Sequence, residues 1–277
     1  MGTGRGKELL LGHDRHRSPG HDNFDSVKPG KCLSLSASGE VMNQHLYDKY
    51  YRKPGFRGGT LPFLDLCTAS IPRGAEILEI GAGAKNEITQ MLSTLGTVTA
   101  LDVDPDVLNN CDAARSMLFD GVAFPIPDES FDACVSNWVL EHVADPVSHF
   151  REVARILRPG GVYLFRTPNL YHYVMLGSRL MPHSFHLVLA NRLRRMSSDA
   201  HAPWPTYYRA NRPGRLKQLS LEAGLCPESL TMIEPEPAYG RAHVALFYPM
   251  MAYERIVNST RLLETFRVII IGITRKP

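Results

Sequence analysis

The chain has 277 residues, 44% of them hydrophobic, which suffices for one large α/β core or two small ones. Its 31 basic and 28 acidic residues leave a formal charge of +3, too even a balance to mark a nucleic-acid-binding surface. Five cysteines, at 32, 67, 111, 134 and 226, form no C-x-x-C pair, so they read as reduced thiols of a cytoplasmic protein and not as a zinc site or a disulfide framework.

Residues 1–40 are expected to be a disordered tail, rich in Gly, His, Arg and Asp. Their apolar run Leu9-Leu10-Leu11 is too short for a signal peptide, and Gly2 to Lys7 lacks the spacing and the preceding strand of a phosphate loop. Apolar residues three to four apart predict an amphipathic helix over Val41 to Arg52, closed by Pro54-Gly55, and a second helix follows at Leu61 to Ala69. From there strands alternate with helices: strand Ile77 to Ile80, helix Glu87 to Leu95, strand Val98 to Val103 and helix Asp106 to Ala114. Strand Ala133 to Ser136, helix Pro146 to Leu157 and strand Val162 to Phe165 continue the series. This rhythm predicts βαβ units around a parallel sheet covered on both faces. It breaks at residues 168–213, which are dense in aromatic, His, Arg and Pro residues and read as a substrate-lid insertion. A helix at Leu216 to Ala223, a strand at Glu228 to Ile233, a helix at Met250 to Leu263 and a strand at Val268 to Thr274 complete a single domain over 41–277. No run of about 18 apolar residues predicts a membrane span.

The stretch Glu76-Ile-Leu-Glu-Ile-Gly-Ala-Gly-Ala-Lys85 places two glycines at the end of the first strand, where a parallel sheet binds its ligands. A dinucleotide fingerprint needs a third glycine at position 86, which is Asn, and a P-loop also fails. Glu79-x-Gly81-x-Gly83 remains, with Leu101-Asp102 about twenty residues on, where a carboxylate can accept both hydroxyls of a ribose.

Five segments in order resemble the motifs of class I S-adenosylmethionine-dependent methyltransferases, of the type 11-like kind: Ile77 to Gly83, Leu101 to Pro105, Phe119 to Asp132, Asn137 to His142 and Arg155 to Gly161. The likeness covers about residues 70–166, and Arg267 to Pro277 looks like that fold's last strand; the pattern departs at Lys85, where many members carry a third glycine. The resemblance implies a Rossmann-like, doubly wound, seven-stranded and mostly parallel sheet with an antiparallel last strand, behind a helical N-terminal segment over 41–70. It also implies S-adenosyl-L-methionine as cofactor. Gly81 and Gly83 would make room for its methionyl part, Glu79 would order the ammonium group, and Asp102 would hold the ribose. Asp120 would accept the adenine amino group, Val103, Val122 and Ala123 would flank the ring, and Asn137 and Trp138 would border the reactive methyl.

A sulfonium methyl is already a strong electrophile, so the protein has chiefly to align the acceptor, and an alcohol acceptor also needs a base. His142 is the nearest candidate by motif position; the alternative is that it caps or packs. Within the insertion, Asn169, His172, His183, His186, Tyr207 and Arg209 are candidate acceptor-binding residues, able to bond hydroxyls or stack on ring faces. His183-x-x-His186 with Asp199 matches no firm metal signature, so no metal is expected. The insertion is loosely similar to methyltransferases of glycan and natural-product pathways. The expected activity is therefore O-methylation of a sugar-containing or other small polar metabolite, with N-methylation or a noncatalytic adenosyl-binding module as alternatives. The expected partner is a small-molecule acceptor, glycosylated or not, with neither nucleic acid nor a membrane span; a homodimer is left open.

Overall fold

The computed structural model describes residues 41–52, 58–180, 204–237, 240 and 244–277, and the expected tail, His183, His186 and Asp199 lie outside them. Everything described belongs to one unit, Ser38–Pro277.

Strands β1 (Ala75–Ile80), β2 (Gly96–Asp102), β3 (Arg115–Leu118), β4 (Phe131–Asn137), β5 (Leu157–Pro168), β6 (Cys226–Ile233) and β7 (Ile269–Arg275) form one sheet in the order β3-β2-β1-β4-β5-β7-β6. β1 to β5 run parallel, and β7 is antiparallel to both β5 and β6. This is the mixed seven-stranded sheet expected from the resemblance. Its central strands are apolar on both faces because helices cover both. On one face α4 (Pro146–Ile156) and α6 (Pro213–Glu222) set Phe150, Val153, Ile156, Leu216 and Leu219 into a core with Leu78, Cys134, Tyr163 and Phe165. On the other, α2 (Leu61–Ser70) and α3 (Glu87–Ser93) set Phe63, Cys67, Ile88 and Leu92 against Ile77, Val135 and Leu164. Gly272 is required in β7, since a Cβ there would lie 2.3 Å from the Phe165 ring.

The N-terminal helix α1 (Val41–Tyr50) docks on α7 (Val244–Asn258) through the rings of Tyr47, Tyr51 and Phe247, and Tyr51 Oη donates to Glu254 Oε2 at 3.1 Å. Helix α5 (Tyr173–Leu180) follows β5.

Three elements differ from expectation. The helix expected over Asp106 to Ala114 is a short 3₁₀ turn, Pro105–Asn109, because Asn110 turns inward: its Nδ2 donates to Gly83 O at 3.1 Å and its Oδ1 accepts from Asp112 N at 3.2 Å. A side chain bonding the backbone two residues on offers an alternative to the next helical turn. The edge strand β3 has no counterpart in the periodicity, being four residues long and half-exposed throughout. Helix α7 begins six residues before the expected Met250, at Val244, and carries Pro249 in its interior.

A polar chain crosses the first core. His149 Nε2 lies 3.1 Å from Tyr163 Oη, which lies 2.8 Å from Ser136 Oγ, and burial pulls the imidazole pKa from 6.5 down to about 4. Neutral His149 is therefore part of the fold. Above pH 6.5 both states carry it uncharged; below 6.5 the unfolded chain takes up a proton that the folded chain refuses until about pH 4. At about 1.4 kcal/mol for each tenfold, that costs the fold about 3 kcal/mol across the window. In chemical denaturation at a series of pH values, His149→Phe is expected to gain about 3 kcal/mol on the unmodified protein between pH 7 and pH 4. Parallel curves for the two proteins would refute a buried neutral imidazole.

Candidate active site

The strand order reverses between β1 and β4, and a cleft of about 330 Å³ opens above their carboxyl ends, lined by Glu79, Gly81, Gly83, Asp102, Asn137 and Trp204 among others. That volume is at the lower end of the roughly 300–1,000 Å³ usual for small-molecule sites. Gly81 has φ +74°, and a Cβ on it would lie 2.3 Å from Val139 Cγ2, so no side chain fits. Gly83, at φ +58°, is open on the side where a Cβ would stand, leaving bare backbone beside the cleft.

Glu79 is 2% exposed at the end of β1. Its Oε2 accepts from Thr89 Oγ1 at 2.6 Å and its Oε1 from Asn86 Nδ2 at 3.2 Å. Asn86 also caps α3, its Oδ1 accepting from the amides of Ile88 and Thr89 at 2.7 and 2.9 Å, and its Nδ2 donates to Ala82 O at 2.6 Å. The residue that breaks the dinucleotide fingerprint thus ties the glycine loop, the helix and the buried acid together. Asp102 closes the loop from the far side: Oδ2 accepts from Gly83 N at 2.8 Å and Oδ1 from Asp104 N at 3.0 Å. Each oxygen keeps a further lone pair.

Beyond β2, Val103 and Asp120 share a lip outside the cleft. Asp120 Oδ1 accepts from Val122 N at 2.9 Å, Val122 is 71% exposed, and Val103 Cγ1 would lie 3.3 Å from a Cβ on Gly121. The lip is held from behind by Arg155, which bonds both Glu152 oxygens at 2.8 and 2.9 Å, Asp128 Oδ1 at 2.7 Å and the carbonyls of Phe124 and Ile126 at 3.2 and 2.8 Å.

On the other flank, Asn137 ends β4 and Trp138 adopts φ +59°, an uncommon conformation for an aromatic residue, with its amide donating to Arg166 O at 2.9 Å. Glu141 is buried and accepts from Thr167 Oγ1 at 3.0 Å, and Thr167 Oγ1 in turn accepts from Asn211 Nδ2 at 2.6 Å. Burial holds the Glu141 pKa above the usual carboxylate range. The Glu141 carbonyl takes the amides of Tyr207 and Tyr208, and His142 Nδ1 lies 2.9 Å from Pro205 O, so this corner anchors the segment carrying Trp204 over the cleft. His142 itself does not line the cleft.

The candidate acceptor-binding residues divide. Asn169 is fully buried, donating to Thr265 O and Arg267 O at 2.7 and 2.8 Å. His172 is 2% exposed, stacked on Tyr173 and Tyr253, with Nε2 3.3 Å from Glu234 Oε1 though not aligned as a hydrogen bond. Both bind the exit of β5 to the elements behind it, and neither reaches the cleft. Tyr207 is 45% exposed beneath Arg209, whose Nη1 donates to Ala144 O at 2.5 Å. The residue reading gave no site role to Asn86, which it named only as breaking the dinucleotide fingerprint, nor to Thr89, Asn110 or Arg166. For Arg166 a signal existed, a charge directly following the apolar run Val162 to Phe165.

Residues 78–165 match the family model described as a methyltransferase domain. A probable S-adenosylmethionine-dependent methyltransferase of Mycolicibacterium smegmatis is 34% identical over 100 residues, 35% of this chain and 39% of that protein. A ubiquinone biosynthesis O-methyltransferase of Xanthomonas campestris pv. campestris is 31% identical over 132 residues, 41% of this chain and 54% of its own length. A malonyl-[acyl-carrier protein] O-methyltransferase of Serratia marcescens is 35% identical over 99 residues, 34% of this chain and 38% of its own. The chain thus spans between about two fifths and just over half of these curated relatives. Among solved structures, the [4+2]-cyclase SpnF aligns with TM-score 0.53 and 17% identity over 82% of this chain and 86% of that one. An S-adenosylmethionine-dependent methyltransferase of Mesorhizobium loti aligns with TM-score 0.50 and 18% identity over 78% and 96%. The fold is that of the Rossmann-like methyltransferases, and the cofactor implied by the matched domain is S-adenosyl-L-methionine. The cleft fits that molecule: bare backbone at Gly83, acids that complement a cation, and acceptor oxygens for hydroxyls.

Burial raises the Glu79 pKa from 4.5 to about 7, against the opposing hydrogen bonds of Thr89 and Asn86. The protonated form therefore favours the fold, fully below pH 4.5, and this contribution is lost as pH rises through about 7. The sign is opposite to that of His149 over nearly the same window, so the two mask one another in the unmodified protein. Glu79→Gln is expected to remove the Glu79 term: as pH falls from 8 to 4.5 the unmodified protein should gain about 3 kcal/mol on the variant. Equal pH slopes would show the carboxylate to be ionised in the fold.

Proposed function

We propose that the protein transfers a methyl group from S-adenosyl-L-methionine to a hydroxyl of a small polar acceptor. The observation that carries this reading is the acid-lined cleft over Gly81 and Gly83, with Asp102 tied to the loop amide of Gly83 at 2.8 Å. The bound cofactor would supply an electrophilic methyl on sulfur. In this reading Asp102 accepts ribose hydroxyls, Glu79 faces the ammonium group, and the lip of Val103, Asp120 and Val122 borders the adenine. Asn137 and Trp138 wall the methyl end, and Trp204 covers the cleft. Tyr207 and Arg209 offer an exposed ring and cation on the acceptor side.

In this reading His142, outside the cleft lining but next to the segment that carries Trp204, is the base at an alcohol. A neutral ring that donates from Nδ1 to Pro205 O leaves Nε2 as the basic nitrogen. Two of the relatives are named O-methyltransferases, which supports oxygen over nitrogen as the methylated atom. For a glycosylated acceptor, two of the expected hydroxyl partners, Asn169 and His172, are already engaged in the fold.

In calorimetry, S-adenosylhomocysteine is expected to bind the unmodified protein and to bind Asp102→Asn about tenfold or more weakly. Silence with that ligand, or tighter binding of a nicotinamide dinucleotide, would overturn the cofactor assignment. Against a panel of hydroxylated and amine acceptors, His142→Gln is expected to keep S-adenosylhomocysteine affinity while losing about 100-fold or more in turnover on hydroxyls. Unchanged turnover would leave His142 as an anchor of Pro205; preferred turnover of amines would favour N-methylation; cofactor binding without any turnover would favour a noncatalytic module.

A further inference from the structure

Arg166 stands at the exit of β5, directly after the apolar run Val162 to Phe165, and is 4% exposed. Its Nε donates to Asn137 Oδ1 at 2.6 Å and its Nη1 to Gly59 O at 2.9 Å, both neutral acceptors. The guanidinium carbon lies 5.0 Å from the Trp138 ring centre and 5.6 Å from that of Phe63, so two aromatic rings border the cation. No carboxylate among the described residues forms an ion pair with it, and Nη2 has no hydrogen-bond partner among them. Glu87 and Glu141 act on it only at longer range. A guanidinium taken out of water without a counter-charge is costly, yet it stays protonated at neutral pH, burial lowering its pKa only to about 10. Its unused donors form the planar fork that suits a carboxylate in two-point contact.

We propose that Arg166 is a binding site for a carboxylate carried by the methyl acceptor, a specificity element that rests on the methyl-transfer reading above. Position favours the acceptor over the cofactor as the source. β5 lies on the far side of β4 from β1 and β2, which carry Glu79, the glycine loop and Asp102, and Arg166 stands behind the cleft-lining Asn137, to which it is bonded. The carboxylate would meet a desolvated cation, where a charge-assisted hydrogen bond is strongest. Trp138 would then flank the bound group as well as the cation.

The chain has two tryptophans, Trp138 beside Arg166 and Trp204 on the cleft, so intrinsic fluorescence reports on this corner. Benzoate, as a simple aromatic carboxylate, and benzamide, its neutral counterpart, are titrated with and without S-adenosylhomocysteine. Saturable binding of benzoate, with benzamide about tenfold or more weaker, is the expected result. Arg166→Gln is expected to abolish the preference, and Arg166→Lys, which keeps the charge but loses the fork, to retain part of it. Calorimetry should show S-adenosylhomocysteine affinity unchanged in Arg166→Gln. Equal binding of benzoate and benzamide to the unmodified protein would overturn the proposal whether or not the variants fold. So would an Arg166→Gln variant that loses S-adenosylhomocysteine but keeps 5′-methylthioadenosine, since the guanidinium would then belong to the cofactor's own aminoacyl carboxylate. Because benzoate is also read without S-adenosylhomocysteine, failure of the cofactor reading is seen separately.

Discussion

A carboxylate buried at the end of the first strand organises the cofactor half of this molecule. Glu79 is almost wholly withdrawn from water, so its oxygens need donors within the protein, and they find Thr89 and Asn86 at the start of the helix that follows the glycine loop. That demand fixes where α3 begins relative to β1. Asn86 then satisfies two of the helix's free amides, and Asn110, bonded to Gly83 O at 3.1 Å and Thr89 Oγ1 at 3.3 Å, locks the next connection into the same network. With both ends of the loop held, Gly81 and Gly83 have no freedom except the positive-φ path they take. The opening of the cleft follows from that path.

The other flank of the sheet's centre obeys a different constraint. At the exits of β4 and β5 the chain buries Glu141 and Arg166 close enough to influence one another but not as an ion pair. The hydrogen bonds that each does make go to neutral partners: Thr167 for the acid, Asn137 and Gly59 for the base. Together with the Thr167–Asn211 bond and the amides of Tyr207 and Tyr208 on the Glu141 carbonyl, they tie Gly59, the 137–142 segment and the 207–211 segment to the exit of β5. The left-handed Trp138 belongs to the same arrangement, its amide held by the Arg166 carbonyl at 2.9 Å. Local strain of this kind persists only where surrounding bonds over-determine it.

The cleft over the first strand was legible in the sequence because the residues that line it stand close to where the chain places them. Glu79, Gly81, Gly83 and Asp102 lie at strand ends, and strands buried on both faces announce themselves as apolar runs. Three things were hidden. β3 is an edge strand of four residues without alternation. The turn at Pro105–Asn109 depends on an Asn110 side chain whose partners lie 21 and 27 positions away. The roles of Asn169 and His172 were hidden for the same reason: a polar residue in a loop can serve a ligand or a distant backbone carbonyl, and periodicity does not separate the two. Asn86 shows the converse, since a residue that only spoils a glycine motif on paper becomes the centre of a hydrogen-bond network once the helix is in place.

The resemblance to solved structures marks where fold stops and chemistry begins. SpnF, a [4+2]-cyclase, superposes on this chain as a methyltransferase does, so the sheet and its helices are compatible with more than one reaction. What is specific to this chain lies in residues that the sheet positions without dictating. The 78–165 segment matched by the family model ends one residue before Arg166 and excludes Gly59, Phe63, Trp204 and Pro205. Of these, Trp204 lines the cleft, Gly59 and Phe63 contact Arg166, and Pro205 holds His142. The division is physical: the sheet's strand order requires a crevice at its centre, whereas the polarity of the outer wall is set by side chains from segments free to differ. In the methyl-transfer reading proposed above, selectivity for an acceptor is to be sought outside the matched segment, where Arg166 is a buried guanidinium with donors to spare.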